Sequence, residues 1–412
     1  MAKIKPFRAV RPRRDLAHLI ASRPVSTYRP SILKAKLSEN PYTFIHIIHP
    51  EYIENKGNKT KPNSIERFKK VRAKYEEFYN KKFFLREKEP ALYVYQQEKN
   101  GAIFLGVIAG ASVEEYKNDL IKKHEATLTT RETMFTNYLD IVGVNAEPVL
   151  LCHPPNKAID KSLEAVTSQR PEYDFTTTDT VRHQLWLVQG DKMNEIIANY
   201  SKIEKTYIAD GHHRSASSVR LSDQLNKSNV KGENHNYFLS YFISEERLNI
   251  LPFNRLCKSL NGLSVDQFLA KLTKHFEVQL LEQKSEPKFL HQMHCYIEGS
   301  WYELTCKPEL LETDDAVSKI DAEILTKYIL TPLLGIEDLK TDKNISFISG
   351  EKGADAIEQE VNKNVYKVGF SLYPVTVEQL RNVADENAIM PPKSTWIEPK
   401  LRSGLTIYTI KE

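Results

Sequence analysis

The run Asp210-Gly-His-His-Arg214 places one carboxylate, two imidazoles and one guanidinium within five consecutive residues. An apolar segment that fits a strand, Tyr207 to Ala209, precedes it, and Ser215–Leu225 follows with the pattern of a helix that buries Ala216, Val219 and Leu221. A strand that ends in a glycine turn and opens a helix leaves backbone N–H groups directed at one point, where the helix dipole favours negative charge. The run therefore predicts a site for phosphate or another oxyanion. A surface turn that carries the same residues without a ligand is the alternative.

The chemistry of each side chain assigns it a candidate role at this site. The phosphate-binding candidates are Gly211, Arg214 and Ser215. The catalytic candidates are Asp210, His212 and His213, because a carboxylate can act as a base and an imidazole can transfer protons or carry a phosphoryl group. Asp210 is also a candidate metal ligand, and the expected metal is Mg²⁺, which binds carboxylate and phosphate oxygens together.

A second group of polar residues follows the segment Ser112–Lys123, which the pattern predicts as a helix. This group comprises Lys123, His124, Glu125 and Arg131. Glu125 is a second candidate for the metal ligand or the catalytic base. We expect this group to contribute to the same site.

A third group lies at residues 389–405, where three prolines stiffen the chain and favour a preorganised anion site. Its phosphate-binding candidates are Lys393, Ser394, Thr395, Lys400, Arg402 and Ser403. The glycines of the GxxxxGK[ST] pattern are absent, which excludes a P-loop. The alternative is a proline-rich basic loop that closes the fold without binding a ligand.

Composition limits the classes of protein to consider. The chain has 412 residues, 41% of them hydrophobic, and a net charge of +4, so we expect two or three domains and no dedicated nucleic-acid binder. The four cysteines have no CxxC spacing and predict reduced, mostly buried thiols, not a zinc site or disulfides. No apolar run reaches the length of a transmembrane helix and the N-terminus lacks a signal-peptide pattern, so we expect a soluble, cytoplasmic protein.

Periodicity predicts an α+β fold with a mixed β-sheet core and an inserted α/β subdomain. The expected elements include a helix over Asn63–Asn80, a hairpin of Ala91–Gln97 and Ala102–Ala109, a strand over Thr43–Ile48, a strand over Arg182–Val188 and a β pair of Tyr237–Ile243 with Leu248–Leu251. His183 lies on the predicted strand Arg182–Val188. A histidine on such a strand is commonly a core residue with satisfied hydrogen bonds, and a site residue is the alternative.

The predicted organisation has four parts. Residues 1–145 form an N-terminal α/β part, 146–260 a core that carries the Asp210 run, 261–345 an inserted or peripheral subdomain, and 346–412 a C-terminal part that returns to the site. We expect Asp210–Arg214, Lys123–Glu125 and Lys393–Gly404 to converge.

Several motifs, taken in order, resemble the family catalogued as domain of unknown function 1015. They are Lys123-His-Glu125, His183-Gln-Leu-Trp186, Asp210-Gly-His-His-Arg214 and Met390-Pro-Pro-Lys-Ser-Thr395 with Pro399-Lys-Leu-Arg-Ser-Gly404. The Asp-Gly-His-His-Arg run is also similar to the box with which ParB partition proteins, sulfiredoxins and free serine kinases bind nucleotide phosphates. Sulfiredoxins carry a cysteine where this chain has His212, and the Asp-Gly-His-x-Arg box of serine kinases is the closer match.

The resemblance implies a ParB/sulfiredoxin-like nucleotide- or phosphate-binding segment and phosphoryl transfer on a small metabolite, as in a serine or phosphoserine kinase or phosphatase. The implied partners are a phosphorylated small molecule or a nucleotide, with ADP or ATP as cofactor. Two alternatives of other classes remain: a ParB-like nucleotide- or DNA-binding regulator, and a metabolite sensor without catalysis. The absence of a recognisable helix-turn-helix disfavours DNA binding.

Overall fold

The computed structural model describes residues 2–52 and 59–412. Tertiary contacts divide the chain into two units. Unit 1 consists of Met1–Lys122, Thr127–Leu248 and Pro399–Glu412, and unit 2 of Lys123–Ala126 and Asn249–Glu398. The boundaries predicted from the sequence lie at 145, 260 and 345, and the four-part division stays a prediction.

The strands are β1 (Ile4–Lys5), β2 (Val10–Pro12), β3 (Phe84–Arg86), β4 (Leu92–Lys99), β5 (Ala102–Ser112), β6 (Ile121–Lys122), β7 (Val144–Asn145), β8 (Val149–His153), β9 (Tyr173–Thr176), β10 (Arg182–Val188), β11 (Thr206–Asp210), β12 (Tyr237–Ser244), β13 (Asn249–Cys257), β14 (Phe276–Leu281), β15 (Gln292–Ile297), β16 (Ser300–Cys306), β17 (Ile345–Ser349), β18 (Val368–Leu372), β19 (Thr395–Glu398) and β20 (Tyr408–Thr409). The α-helices are α1 (Ala17–Ile20), α2 (Pro30–Glu39), α3 (Ile45–Ile48), α4 (Ile65–Asn80), α5 (Val113–Lys117), α6 (Thr129–Val142), α7 (Lys157–Thr167), α8 (Gly190–Tyr200), α9 (His212–Lys227), α10 (Val265–Leu272), α11 (Asp321–Leu325), α12 (Gly353–Asn362) and α13 (Val377–Asp385).

Unit 1 is built on a mixed sheet of nine strands in the order β6-β11-β8-β12-β5-β4-β10-β9, with β1 paired to β5. Strand β11 is parallel to β6 and antiparallel to β8, whereas β12 is parallel to β8. The central strands are apolar and buried, as strands covered on both faces must be. The predicted mixed-sheet α+β core is therefore confirmed, and the ParB/sulfiredoxin-like detail of its segment stays a prediction.

A second apolar cluster in unit 1 lies where α4 and α6 pack together. Phe68 and Val71 of α4 meet Val142 of α6 in this cluster, and Ile407 of the C-terminal segment joins them. Ser64 caps α4 by accepting a hydrogen bond from the Arg67 backbone N–H. The C-terminal segment therefore completes unit 1.

Unit 2 contains an antiparallel sheet in the order β14-β16-β15-β18-β13-β17, with β19 paired to β13. Helix α12 packs on this sheet, where Ile357 and Val361 meet Leu256 in an apolar cluster. The expected inserted subdomain is present, and its main segment, Asn249–Glu398, interrupts the sequence of unit 1.

Three local predictions are wrong. Thr43–Ile48 was expected to be a strand, but residues 45–48 form α3, because a short apolar run fits a buried helical turn as well as a strand. Strands β12 and β13 do not pair with each other; β12 pairs with β5 and β8, and β13 with β17, β18 and β19. The helix expected over Ser112–Lys123 ends at Lys117, and Ile121–Lys122 is a strand.

The other expected elements are confirmed. The hairpin of β4 and β5 turns at Asn100 and Gly101, both with positive φ, as an Asn-Gly turn requires. The four cysteines form no disulfide and are buried. Within the described part of the chain, none of the helices combines the length and the apolar character that crossing a bilayer demands.

Candidate functional site

The turn between β11 and α9 carries the Asp210 run. Gly211 adopts the left-handed conformation at φ 108°, and α9 begins at the next residue. A Cβ atom at Gly211 would lie 3.1 Å from Nε of Arg214, so a larger residue would displace the guanidinium. The glycine therefore lets the Arg214 side chain fold back over the turn at the N-terminal end of α9.

Arg214 connects the turn to the start of β8. Its Nη1 donates to the backbone carbonyl oxygen of Pro148 at 2.5 Å and lies 2.9 Å from Oε1 of Glu147. Its Nη2 lies 3.5 Å from Oδ2 of Asp210. Arg214 thus fixes the geometry of the turn and shares its charge between two carboxylates.

The C-terminal segment adds two of the predicted residues to this turn. Nζ of Lys400 lies 3.6 Å from Oδ2 of Asp210. Ser403 donates from Oγ to Oε2 of Glu147 at 3.1 Å. Asp210, Arg214, Lys400 and Ser403 therefore meet in unit 1, although more than 180 residues separate Arg214 from Lys400 in sequence. We call Asp210, Arg214, Lys400 and Glu147 the charged cluster.

The first turns of α9 anchor the helix beneath the charged cluster. Ser215 is fully buried and donates from Oγ to the carbonyl oxygen of His212 at 3.0 Å. His212 is buried, and His213 is partly exposed. Ser217 donates to the Glu132 carbonyl oxygen of α6, so small side chains allow the two helices to approach closely. The expected burial of Val219 and Leu221 is confirmed, but Ala216 remains partly exposed.

Arg402 lies in a separate buried ion pair. Its Nη2 lies 2.8 Å from Oδ2 of Asp179, and Arg23 lies on the same carboxylate at 3.5 Å. Burial alone would raise the pKa of Asp179, but the charge and hydrogen bond of Arg402, together with Thr177 and the charge of Arg23, outweigh it and lower that pKa to about 2. Asp179 therefore neutralises Arg402, and a role for Arg402 in phosphate binding stays a prediction.

His183 is a core residue of β10. Its Nδ1 lies 2.7 Å from the Tyr95 hydroxyl, and its Nε2 lies 3.2 Å from Oγ1 of Thr177. Burial, followed by the charge of Arg402, lowers the pKa of His183 to about 3, so the ring is neutral. His183 is therefore a core histidine with both ring nitrogens in hydrogen bonds, which is the common outcome for a histidine on an apolar strand face.

Unit 2 holds part of the other two groups of predicted residues: Lys123, His124 and Glu125 of the second, and Lys393, Ser394 and Thr395 of the third. The segment of Lys123, His124 and Glu125 contacts the loop before β19, where the Met390 N–H donates to the His124 carbonyl oxygen at 2.9 Å. In unit 1, Arg131 is exposed near the start of α6. The contribution of these residues to the Asp210 site stays a prediction.

The loop that carries Lys393 is held by a buried arginine. Lys393 has φ 62°, its carbonyl oxygen accepts from Nη2 of Arg255 at 3.1 Å, and its ammonium lies 5.2 Å from the Phe253 ring centre. Ser394 is buried and donates to the Pro391 carbonyl oxygen, and Thr395 begins β19. Burial lowers the pKa of Arg255 to about 10, which still leaves it charged at neutral pH.

Glu147 was missed by sequence reasoning. It is a lone carboxylate two residues before β8, and no spacing or repeat distinguishes it from other surface acids. Only the contact of β8 with β11 brings it to Arg214.

The sequence matches one family model over residues 4–323, which is more than half of the chain. The chain belongs to the DUF1015 family. The family carries the description "Protein of unknown function". The match includes the Asp210 run and ends before the loop of Lys393 and the segment of Lys400. No curated protein matches the chain.

A comparison with solved structures finds matches at low identity and with TM-scores below 0.4. A free serine kinase in complex with AMP is 13% identical, with 73% of this chain and 91% of that chain covered and a TM-score of 0.34. A conserved hypothetical protein from Pyrococcus furiosus is 14% identical, with coverages of 73% and 94% and a TM-score of 0.33. SbnI with a C-terminal truncation, from Staphylococcus aureus, is 10% identical, with coverages of 72% and 85% and a TM-score of 0.38.

Proposed function

We propose that the charged cluster binds a phosphate group and that the protein is a phosphoryl-transfer enzyme for a small phosphorylated metabolite or nucleotide. The supporting observation is that Arg214 and Lys400 both approach Asp210 at the N-terminal end of α9. Backbone N–H groups of a helix N-terminus and two cations provide what a phosphate requires. The serine or phosphoserine class rests on the resemblance of the Asp-Gly-His-x-Arg box.

Phosphate binding would use the loose ion pairs of the cluster. The distances of 3.5 and 3.6 Å from Asp210 to Arg214 and Lys400 exceed a normal hydrogen-bond length. A phosphate oxygen can therefore approach the Lys400 ammonium without breaking a short hydrogen bond to Asp210. Arg214 stays bound to the Pro148 carbonyl oxygen and contributes its charge and the shape of the turn.

Asp210 is the base in this proposal. Its carboxylate accepts the proton of an acceptor hydroxyl while the new O–P bond forms and the bond from phosphorus to the leaving oxygen breaks. The negative charge on the transferred group and the leaving oxygen is offset by Lys400, Arg214 and the α9 N–H groups. His212 and His213 are the alternative proton carriers on the same turn.

Mg²⁺ fits this donor set in one arrangement. Asp210 is 43% exposed at its side chain and offers one carboxylate, and Mg²⁺ in phosphoryl-transfer sites uses one or two carboxylates with substrate phosphates. When bound, the ion would neutralise phosphate charge. Glu125 is a further proposed ligand.

The test is binding and turnover with matched lysine variants. Calorimetry would measure the affinity for ADP, ATP and phosphoserine with and without Mg²⁺, and ³¹P NMR would follow phosphoryl transfer between each nucleotide and serine. We expect Lys400→Met to weaken phosphate-ligand binding about tenfold or more, since it removes a charge-assisted contact. The control is Lys411→Met, on the same segment but paired with Asp140, which should leave the affinity unchanged.

Each outcome separates the candidate functions. Equal affinities of the wild type and Lys400→Met would refute the assignment of the site. Binding without turnover for every acceptor and nucleotide would indicate a metabolite sensor. Salt-dependent DNA binding tighter than about micromolar would indicate the ParB-like regulator, because non-specific binding is typically weaker at physiological salt.

A further inference from the structure

Unit 1 contains a cavity of about 610 Å³ beside the charged cluster. Helices α4 and α6 contribute part of its wall, including Phe68 and Val71 on α4 and Met134 on α6. Arg214 and Ser403 also line it, and both of these residues contact Glu147, which is a third lining residue. The cavity and the charged cluster therefore share a wall.

The chemistry of the lining is mainly aromatic and apolar. Phe68 and Tyr138 face each other edge-on with ring centres 5.3 Å apart, and Phe135 adds a third ring. Aromatic walls bind planar rings through stacked or edge-to-face contacts. The volume falls within the range of pockets that enclose small ligands.

Polar residues of the lining include Asn145 and Ser403, which both form hydrogen bonds with Glu147 beside Arg214, and also His49, Asn63 and Arg67. Asn145 is buried and contributes an amide to the lining, and Ser403 contributes a hydroxyl. Both side chains form hydrogen bonds with Glu147, and an alkyl chain offers no partner for their remaining donors and acceptors. Ring nitrogens or exocyclic groups of a heterocycle would satisfy them.

We propose that this cavity binds an aromatic heterocycle of nucleobase size, which belongs to the same ligand whose phosphate lies at the charged cluster. This inference rests on the proposed phosphate site and narrows its ligand to a nucleotide-like molecule. The shared residue is Arg214, whose side chain lines the cavity and approaches Asp210 at 3.5 Å. A ligand with both parts gains from both sites, since its second contact is intramolecular.

The test fills the cavity and leaves the charged cluster unchanged. Met134→Trp and Ala146→Phe each place a larger side chain in the wall, and Asn137→Trp places the same indole on the exposed side of α6 as the control. Calorimetry on the full chain would use three probes: ADP, pyrophosphate without a base, and hexyl phosphate with an alkyl group. Circular dichroism would establish that each variant is folded. If Met134→Trp is not folded, the affinities of Ala146→Phe decide the test.

We expect the filled variants to weaken ADP binding about tenfold, a loss of about 1.4 kcal/mol, while pyrophosphate affinity stays within about twofold. Asn137→Trp should leave both affinities unchanged. ADP affinity that is the same in wild type and filled variants, with pyrophosphate still bound, would overturn the cavity assignment and leave the phosphate site standing. Hexyl phosphate that binds as tightly as ADP and is lost in the filled variants would overturn the heterocycle. Failure of the wild type to bind either ADP or pyrophosphate would overturn both proposals.

Discussion

Replacement of Asp179 by Asn tests the buried ion pair with Arg402. The Arg402 side chain is 3% exposed, and its Nε has no hydrogen-bond partner among the described residues. The variant leaves this guanidinium buried without a carboxylate at Nη2, which is the costly way to break such a pair. We expect Asp179→Asn to lower the free energy of unfolding of unit 1 by about 3 kcal/mol at neutral pH.

The pH dependence gives a second, independent magnitude. The pKa of Asp179 falls from 3.8 to about 2 on folding, so the ionised carboxylate stabilises the folded state. A shift of nearly two units corresponds to about 2 kcal/mol before solvent screening is considered. A lowered pKa provides stability that is fully present above the unfolded value and is lost as the pH falls toward the folded value. The free energies of unfolding of wild type and Asp179→Asn should therefore differ by about 1 kcal/mol less at about pH 3 than at about pH 6.

Tryptophan fluorescence can report on unit 1 alone. Of the three tryptophans, only Trp186 belongs to unit 1, so Trp301→Phe and Trp396→Phe provide the background for urea unfolding. The control is Asp15→Asn, which breaks the exposed ion pair with Arg13 and should change stability by less than about 0.5 kcal/mol. If the free energies of unfolding of wild type and Asp179→Asn differ by the same amount from about pH 6 to about pH 3, the stabilising role of the ionised Asp179 is refuted.

Three further predictions concern the turn, the thiols and a helix cap. Gly211→Ala should destabilise unit 1 by about 2 kcal/mol in urea unfolding. The control is Gly190→Ala, which should cost about 1 kcal/mol, because Gly190 also has a positive φ but no atom lies near the added Cβ. Equal losses of stability in the two variants would argue against crowding at Gly211. The buried thiols should not react with a disulfide reagent at pH 8 until denaturant is added, because burial raises the pKa of Cys257, for example, to about 12; rapid native labelling would contradict this. Thr376→Ala should destabilise unit 2 by about 1 kcal/mol, measured through Trp301 fluorescence, since it removes the hydroxyl that accepts from the Gln379 N–H in a capping box. An unchanged midpoint would show that this hydroxyl contributes nothing.

The parts of the fold that follow from local chemistry were predictable. The sequence of strand, Gly211 turn and helix was recognised because glycine is the residue that adopts positive φ without strain. The helix that Ser64 caps and the Asn100-Gly101 hairpin follow from the same kind of local rule. In these segments, neighbouring residues alone decide the backbone conformation.

The errors lie where tertiary contacts decide. Residues 45–48 contain three isoleucines and favour a strand by propensity, yet the burial of Ile45 and Ile47 is achieved in a single helical turn. The expected pairing of β12 with β13 assumed that adjacent strands pair, but the sequence passes from unit 1 to unit 2 between Leu248 and Asn249. The charged residues before this boundary, Glu245–Arg247, are equally typical of a hairpin turn, so the sequence pattern does not reveal the boundary.

The candidate site was predictable in part. The proximity of Lys400 to Asp210 was expected from their chemistry, and the ion pair of Arg402 with Asp179 was not, since nothing local distinguishes the two cations. The cavity beside Arg214 depends on how α4 and α6 pack, which the pattern of apolar residues does not specify.

The return of the C-terminal segment to unit 1 has a consequence during synthesis. The ribosome synthesises Asp210 and Arg214 long before Lys400, because all of Asn249–Glu398 is translated in between. Strand β20 pairs with β7, and Glu412 forms ion pairs with Arg8 and Arg86. A nascent chain that has not yet reached Pro399 therefore lacks both a structural element of unit 1 and one cation of the charged cluster, so the proposed ligand binding requires synthesis of this segment first.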